Sequence, residues 1–140
     1  MTGYKLPALH VAILSSLLFF LLAASSCKKE YINGDLDGQW RVEEILVDGE
    51  SHNPTEALYW NFSFHVVQLS RYGGPVANGN LSFDGSVIEM DFPTMLSDDG
   101  RDIIRKWGVY SNPAKYTVES ISSSRLTIRE GNVIVKMHKY

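Results

Sequence analysis

Short runs of alternating apolar and polar residues, broken at intervals by glycine-containing turns, constrain this chain more than any other feature. Trp60, Phe62, Phe64 and Val66 fall on one side of an extended segment, and Asn61, Ser63 and His65 on the other, because successive strand side chains point to opposite faces. Leu81 and Phe83, then Ile88, Met90 and Phe92 beyond Asp84-Gly85, repeat the pattern. Ser82, Glu89 and Asp91 face water there, which predicts a hairpin. Tyr116 with Val118, Leu126 with Ile128, and Val133 with Val135 and Met137 give three further strands, the last two joined through Glu130-Gly131-Asn132. With further turn signals at Asp48-Gly49, Gly73-Gly74-Pro75, Asn78-Gly79 and Asp99-Gly100, the pattern predicts an all-β antiparallel meander that closes as a sandwich or barrel.

The first strand, Gln39 to Val47, changes parity. Trp40 and Val42 share one face and Ile45 and Val47 the other. An extra residue near Glu43-Glu44 would put all four on the core side, because a β-bulge shifts the alternation by one. The alternative is an inward Glu44 whose pKa burial would raise. One helix is predicted, Ser97 to Trp107: Ser97 can cap it, Asp98 and Asp99 suit its first turn, Ile103 and Trp107 lie four apart, and Gly108 ends it. A short helix with an apolar stripe reads as a plug or flap over a barrel end.

The segment before these strands has a different character. Lys5 is its only charge, an apolar run of about a dozen residues extends from Val11 to Leu22, and Ala23-Ala24-Ser25-Ser26 leads to Cys27. Basic, apolar and small residues in that order form a secretory signal peptide. A membrane-spanning helix needs about 20 apolar residues, and Ser15 and Ser16 interrupt a shorter run. Cys27 is the only cysteine, so no partner exists within the chain for a disulfide. Ala24-Ser25-Ser26-Cys27 resembles the lipobox of bacterial lipoproteins, with alanine where leucine is usual. That resemblance implies a diacylglycerol on Cys27, cleavage before it, and a lasting membrane anchor. Residues 1–26 are then the signal, 27–37 (from Cys27 through KKEYINGDLD) a lipidated tether, and 38–140 one small domain.

Removing residues 1–26 takes away one positive charge and moves the formal net charge from −3 to −4. An acidic chain with scattered basic residues has no footprint for phosphate backbones, which excludes nucleic acid as a partner.

A strand that begins Gly38-Gln39-Trp40 after a polar leader resembles the G-x-W start of the lipocalins. The run KYTVESISSSRLTI and the final strand ending KMHKY are similar to the small lipocalin-like lipoproteins of Gram-negative envelopes. The resemblance spans Gly38 to Tyr140 and implies an up-and-down β-barrel of about seven to eight strands with one short helix. It implies that Trp40 closes one barrel end, with Arg125 or Arg129 in the place of the arginine that packs over that tryptophan. The T-D-Y signature of longer lipocalins has no counterpart here.

Catalytic chemistry finds little support. His10 lies in the signal, Cys27 is taken by lipid, His52 falls in a loop, and His65 and His138 face outward. A nucleophile or general base needs an orienting carboxylate nearby, and no such motif, phosphate loop or cysteine pair is present. His65 and His138 would form a metal pair only if their strands adjoin. The acidic groups Asp98, Asp99 and Asp102, and Asp35 with Asp37, lack the ligand spacing of a calcium loop. Asn61-Phe62-Ser63 matches a eukaryotic glycosylation acceptor to which we assign no function.

The sequence therefore predicts a non-enzymatic envelope lipoprotein at the outer membrane, on either face, without cofactor or metal. It would bind a small apolar ligand in a barrel interior lined by Trp40, Trp60, Phe62, Phe64, Phe83 and Phe92. Alternatively the barrel is solid, and its loops (Gly49 to Glu56, Arg71 to Gly79, Leu96 to Pro113) meet an envelope protein. An enclosed apolar void of several hundred Å3 separates the two, since such voids hold small ligands.

Overall fold

The computed structural model describes Gly3, Ala8–Ala24 and residues 32–140; Cys27, with the lipidation assigned to it, lies outside the described residues. Two units are distinguished, residues 1–30 and 31–140. In the first, Ala8–Ala24 forms helix α1 of 17 residues. Among the described residues no helix is long and apolar enough to cross a membrane.

In the second unit the strands are β1 (Gly38–Val47), β2 (Glu50–Ser51), β3 (Leu58–Ser63), β4 (Val66–Arg71), β5 (Gly74–Phe83), β6 (Val87–Asp91), β7 (Ala114–Ile121), β8 (Arg125–Glu130) and β9 (Val133–Lys139), with helix α2 (Asp98–Arg105) between β6 and β7. Each barrel strand pairs antiparallel with its neighbour, and β9 pairs back onto β1 from Trp40↔Lys139 to Val47↔Val133. The result is a closed eight-stranded barrel, with β2 a short extension on the end of β1. Closure leaves no long free edge for another chain to pair with.

The parity change in β1 is a bulge. The β1–β9 register shifts between Val42 and Glu44, so Val42 and Ile45 both point inward. Glu44 faces outward and meets Lys136 at 3.8 Å. The Asp84-Gly85 hairpin forms as expected, with Phe83 opposite Ile88 and Leu81 opposite Met90. Its Asp84 carboxylate accepts from the backbone N–H groups of Ser86 and Val87 at 2.8 and 2.7 Å and from the Ser86 hydroxyl. Those donors hold its pKa below the usual carboxylate value, so the turn contributes stability above the unfolded-state pKa and loses it as acid protonates the group.

Several expectations are corrected. The segment read as one strand through Val66 is two: β3 ends at Ser63, Phe64 and His65 form the turn, and β4 returns with Val67 and Leu69 inward. Phe64 is therefore 57% exposed, with φ +53, and is not an interior residue. Asn78-Gly79 is no turn but the middle of β5. The Gly73-Gly74-Pro75 turn sits one residue earlier, with Arg71 opposite Gly74, so most of the supposed loop Arg71 to Gly79 is strand. Asp99-Gly100 belongs to α2, which Ser97 caps by accepting from the Gly100 N–H. Ile104 rather than Ile103 faces the core. Residues 33–37, read as tether, are part of the domain: Leu36 is fully buried in the 3-10 turn Gly34–Leu36, and Asn33 and Asp37 are buried and bonded to each other.

Candidate functional site

The inward residues of the strands converge on a single core. Trp40, Trp60, Phe62, Phe92, Trp107 and Tyr116 are each 2% exposed or less, so almost none of their surface is open to a water-sized space. Trp60 packs on Phe62 and edge-on to Tyr116, with ring centroids 5.8 Å apart in both pairs. Eight strands give an interior just wide enough for side chains, and aromatic side chains fill this one. Of the residues proposed to line a pocket, Trp40, Trp60, Phe62 and Phe92 meet inside, Phe83 is half-buried at the periphery, and Phe64 lies outside.

Both barrel ends are closed. At the end where the chain enters, the 3-10 turn puts Leu36 beneath Trp40, whose Nε1 donates to the Leu36 carbonyl at 2.8 Å. A cation does cover Trp40, but it is Lys139, its Nζ 4.9 Å from the ring centroid and donating to the Asp35 carbonyl at 2.8 Å. Arg125 and Arg129 instead pair with Glu43 and Glu119. The bulges explain this: they bring glutamates to the outer face within reach of both arginines.

At the opposite end the segment after α2 closes the barrel. Trp107 donates from Nε1 to the Ser70 carbonyl at 3.0 Å and accepts at its own carbonyl from Trp60 Nε1 at 3.1 Å. Gly108, at φ +89, lets the chain turn over the core, where a Cβ would stand 2.5 Å from a Val135 methyl. The Tyr116 hydroxyl donates to the Gly108 carbonyl at 2.6 Å, and burial, with Glu130 and Tyr110 adding to it, pushes that phenol far above its ordinary pKa. Among the described residues no buried side-chain nitrogen or oxygen lacks a hydrogen-bond partner. The interior thus offers no free polar group to orient a ligand.

The concavities are open and superficial. A groove of about 410 Å3 runs over β5, β6 and β7 beside Asn80, Asp91 and Lys115. A cleft of about 320 Å3 beside α2 is bordered by Arg101, Arg105, Tyr110 and Ser111. His138 is engaged by Glu43 at 3.4 Å on β9, which adjoins only β1 and β8. His65 is in the β3–β4 turn, so the histidine pair does not form. Among the described residues no three histidine, cysteine, aspartate or glutamate side chains are grouped to hold a metal.

A closed, eight-stranded, up-and-down barrel with a 3-10 turn and a Gly-x-Trp entry at one end and a helical cover at the other is the lipocalin architecture. The chain belongs to the lipocalin-like domain family, whose model it matches over residues 20–140. A lipocalin-like protein from Bacteroides uniformis is similar in structure, with 23% identity, 76% of this chain and 100% of that one covered, and a TM-score of 0.62. An uncharacterized protein from Bacteroides eggerthii is similar at 12% identity, 74% and 98% coverage and a TM-score of 0.57. At these identities the likeness is one of fold. No curated protein matches the chain. The lipocalin-like fold is typically a ligand-binding, non-catalytic one.

Proposed function

We propose that the protein is a lipid-anchored lipoprotein of the outer membrane, held through Cys27, whose domain is a non-catalytic binding module that works through its outer surface. The filled interior carries this reading: an apolar ligand in the barrel would have to displace the buried side chains of Trp60, Phe62 or Trp107. The loop Asp48 to Ala57, the Tyr72-Gly73 turn and the long connection Phe92 to Pro113 all lie at the end away from the chain's entry. There they suit contact with an envelope protein. A small apolar ligand is the less favoured occupant.

Two measurements test the parts separately. Cys27→Ala is expected to move the protein from the membrane pellet to the soluble fraction; a variant that still pellets removes the lipid anchor from the reading. Native mass spectrometry of that soluble variant, taken from its own host, is expected to show the bare chain mass. A bound small molecule in near-stoichiometric amount would instead restore the ligand-carrying role.

A further inference from the structure

The barrel end at which the chain enters carries apolar surface that the plugged core leaves unexplained. Ile32 is 59% exposed, Phe64 57% and Val66 48%. They share one barrel end: Asn33 Nδ2 donates to the Phe64 carbonyl at 2.9 Å, holding the residue next to Ile32 against the β3–β4 turn. Ile32 also joins the half-buried Phe83 and Ile121 around an open cleft of about 470 Å3 at the ends of β5 and β7, whose rim carries Asp35 and Asp84 and so belongs at headgroup level rather than deeper. Phe64 is the more telling because its φ of +53 is a conformation in which glycine or asparagine is at ease and a bulky side chain is not. The turn thus holds an aromatic ring out in water, in a backbone conformation that disfavours it.

We infer that this end is the membrane-facing surface of the protein, with Phe64, Val66 and Ile32 seated in the interfacial layer of the leaflet that holds the acyl chains of Cys27. The inference rests on the lipid attachment proposed above, and chain length selects the occupant. Four residues lie between Cys27 and Ile32, so the five Cα–Cα steps reach at most about 18 Å even when fully extended. A ten-residue strand such as β1 is about 33 Å long, so the α2 end cannot take the place of the entry end at the bilayer. Lipid-bearing Cys27 lies at the headgroup level, and exposed apolar side chains close to it transfer favourably from water into that layer. Lys28 and Lys29 beside Cys27 add attraction to an anionic headgroup.

The test uses the full acylated protein in vesicles of phosphatidylethanolamine and phosphatidylglycerol. With Cys27 blocked by lipid, a single added thiol at the exposed positions His65→Cys or Leu96→Cys carries a nitroxide, and its collisions with oxygen and with a water-soluble nickel chelate report depth. The label at 65 is expected to be shielded from the chelate several-fold relative to that at 96, and Phe64→Ser with Val66→Ser is expected to abolish most of the difference. Intact mass confirms acylation of each sample. An acylated protein whose label at 65 meets the chelate as freely as that at 96 overturns the docking alone. A mass without acyl chains overturns the anchor, and the docking with it.

Discussion

Trp107→Ala is expected to lower the unfolding free energy by about 3–5 kcal/mol, as truncation of large buried aromatics does. The residue is 1% exposed and is the point at which the helical cover enters the core. Its removal also leaves the Ser70 carbonyl without the indole donor. The surrounding rings are held by strands and cannot collapse freely, so the space is expected to persist as an apolar void, which stays dry and accepts small apolar molecules. Urea unfolding gives the first effect, and titration with benzene or a similar probe, followed by NMR, gives the second. The native protein should bind no such probe, whereas the variant should. A loss below about 1 kcal/mol, or equal probe binding by both, would mean that Trp107 is not a plug.

The second large effect concerns Gly79. Valine favours strands and glycine weakens them by about 0.5–1 kcal/mol, so propensity alone makes Gly79→Val stabilising. The packing reverses the sign: a Cβ at this position would lie 2.5 Å from the Asp91 carbonyl oxygen and 2.8 and 2.9 Å from the Phe92 ring. Neither neighbour has room to move, since the carbonyl belongs to β6 and Phe92 is fully buried. Overpacking of this kind costs roughly 1–3 kcal/mol and sometimes more; with backbone on one side, a loss of about 3 kcal/mol is expected, and a smaller one for Gly79→Ala. Thermal unfolding of the two variants measures it. A midpoint unchanged or raised in Gly79→Val would show that β5 and β6 do not approach this closely.

Gly79 also shows where the sequence misleads. Asn-Gly is a strong turn signal, yet the glycine is there because β6 and Phe92 crowd it, a tertiary cause with no local trace. The opposite failure occurs at Phe64-His65, a real turn made of residues that no turn rule selects, with apolar residues continuing beyond it; the alternation therefore runs on unbroken and hides the separate strand β4. What was legible follows from local chemistry: the Asp84 side chain that fixes its hairpin, the Ser97 cap, Gly108 after the helix, and the β1 bulge forced by the parity of Trp40, Val42, Ile45 and Val47. Of the interior, Trp40, Trp60, Phe62 and Phe92 could be placed from alternation, whereas Phe64 and Phe83 could not. The helical cover that carries Trp107 was likewise legible from its apolar stripe, but its hydrogen bonds to Ser70 and Trp60, and Lys139 over Trp40, depend on long-range contacts that periodicity does not encode.

The pairing of β1 with β9 sets the order of events when the chain is made. Trp40 pairs with Trp60 on one side and with Lys139 on the other, so the β9 side of the first strand stays unpaired until Lys139 has emerged. Contacts of such sequence separation form slowly because the long loop must close first. A chain made N-terminus first therefore cannot shut its barrel part-way through synthesis, and the closing β1–β9 seam is the last part of the sheet to form.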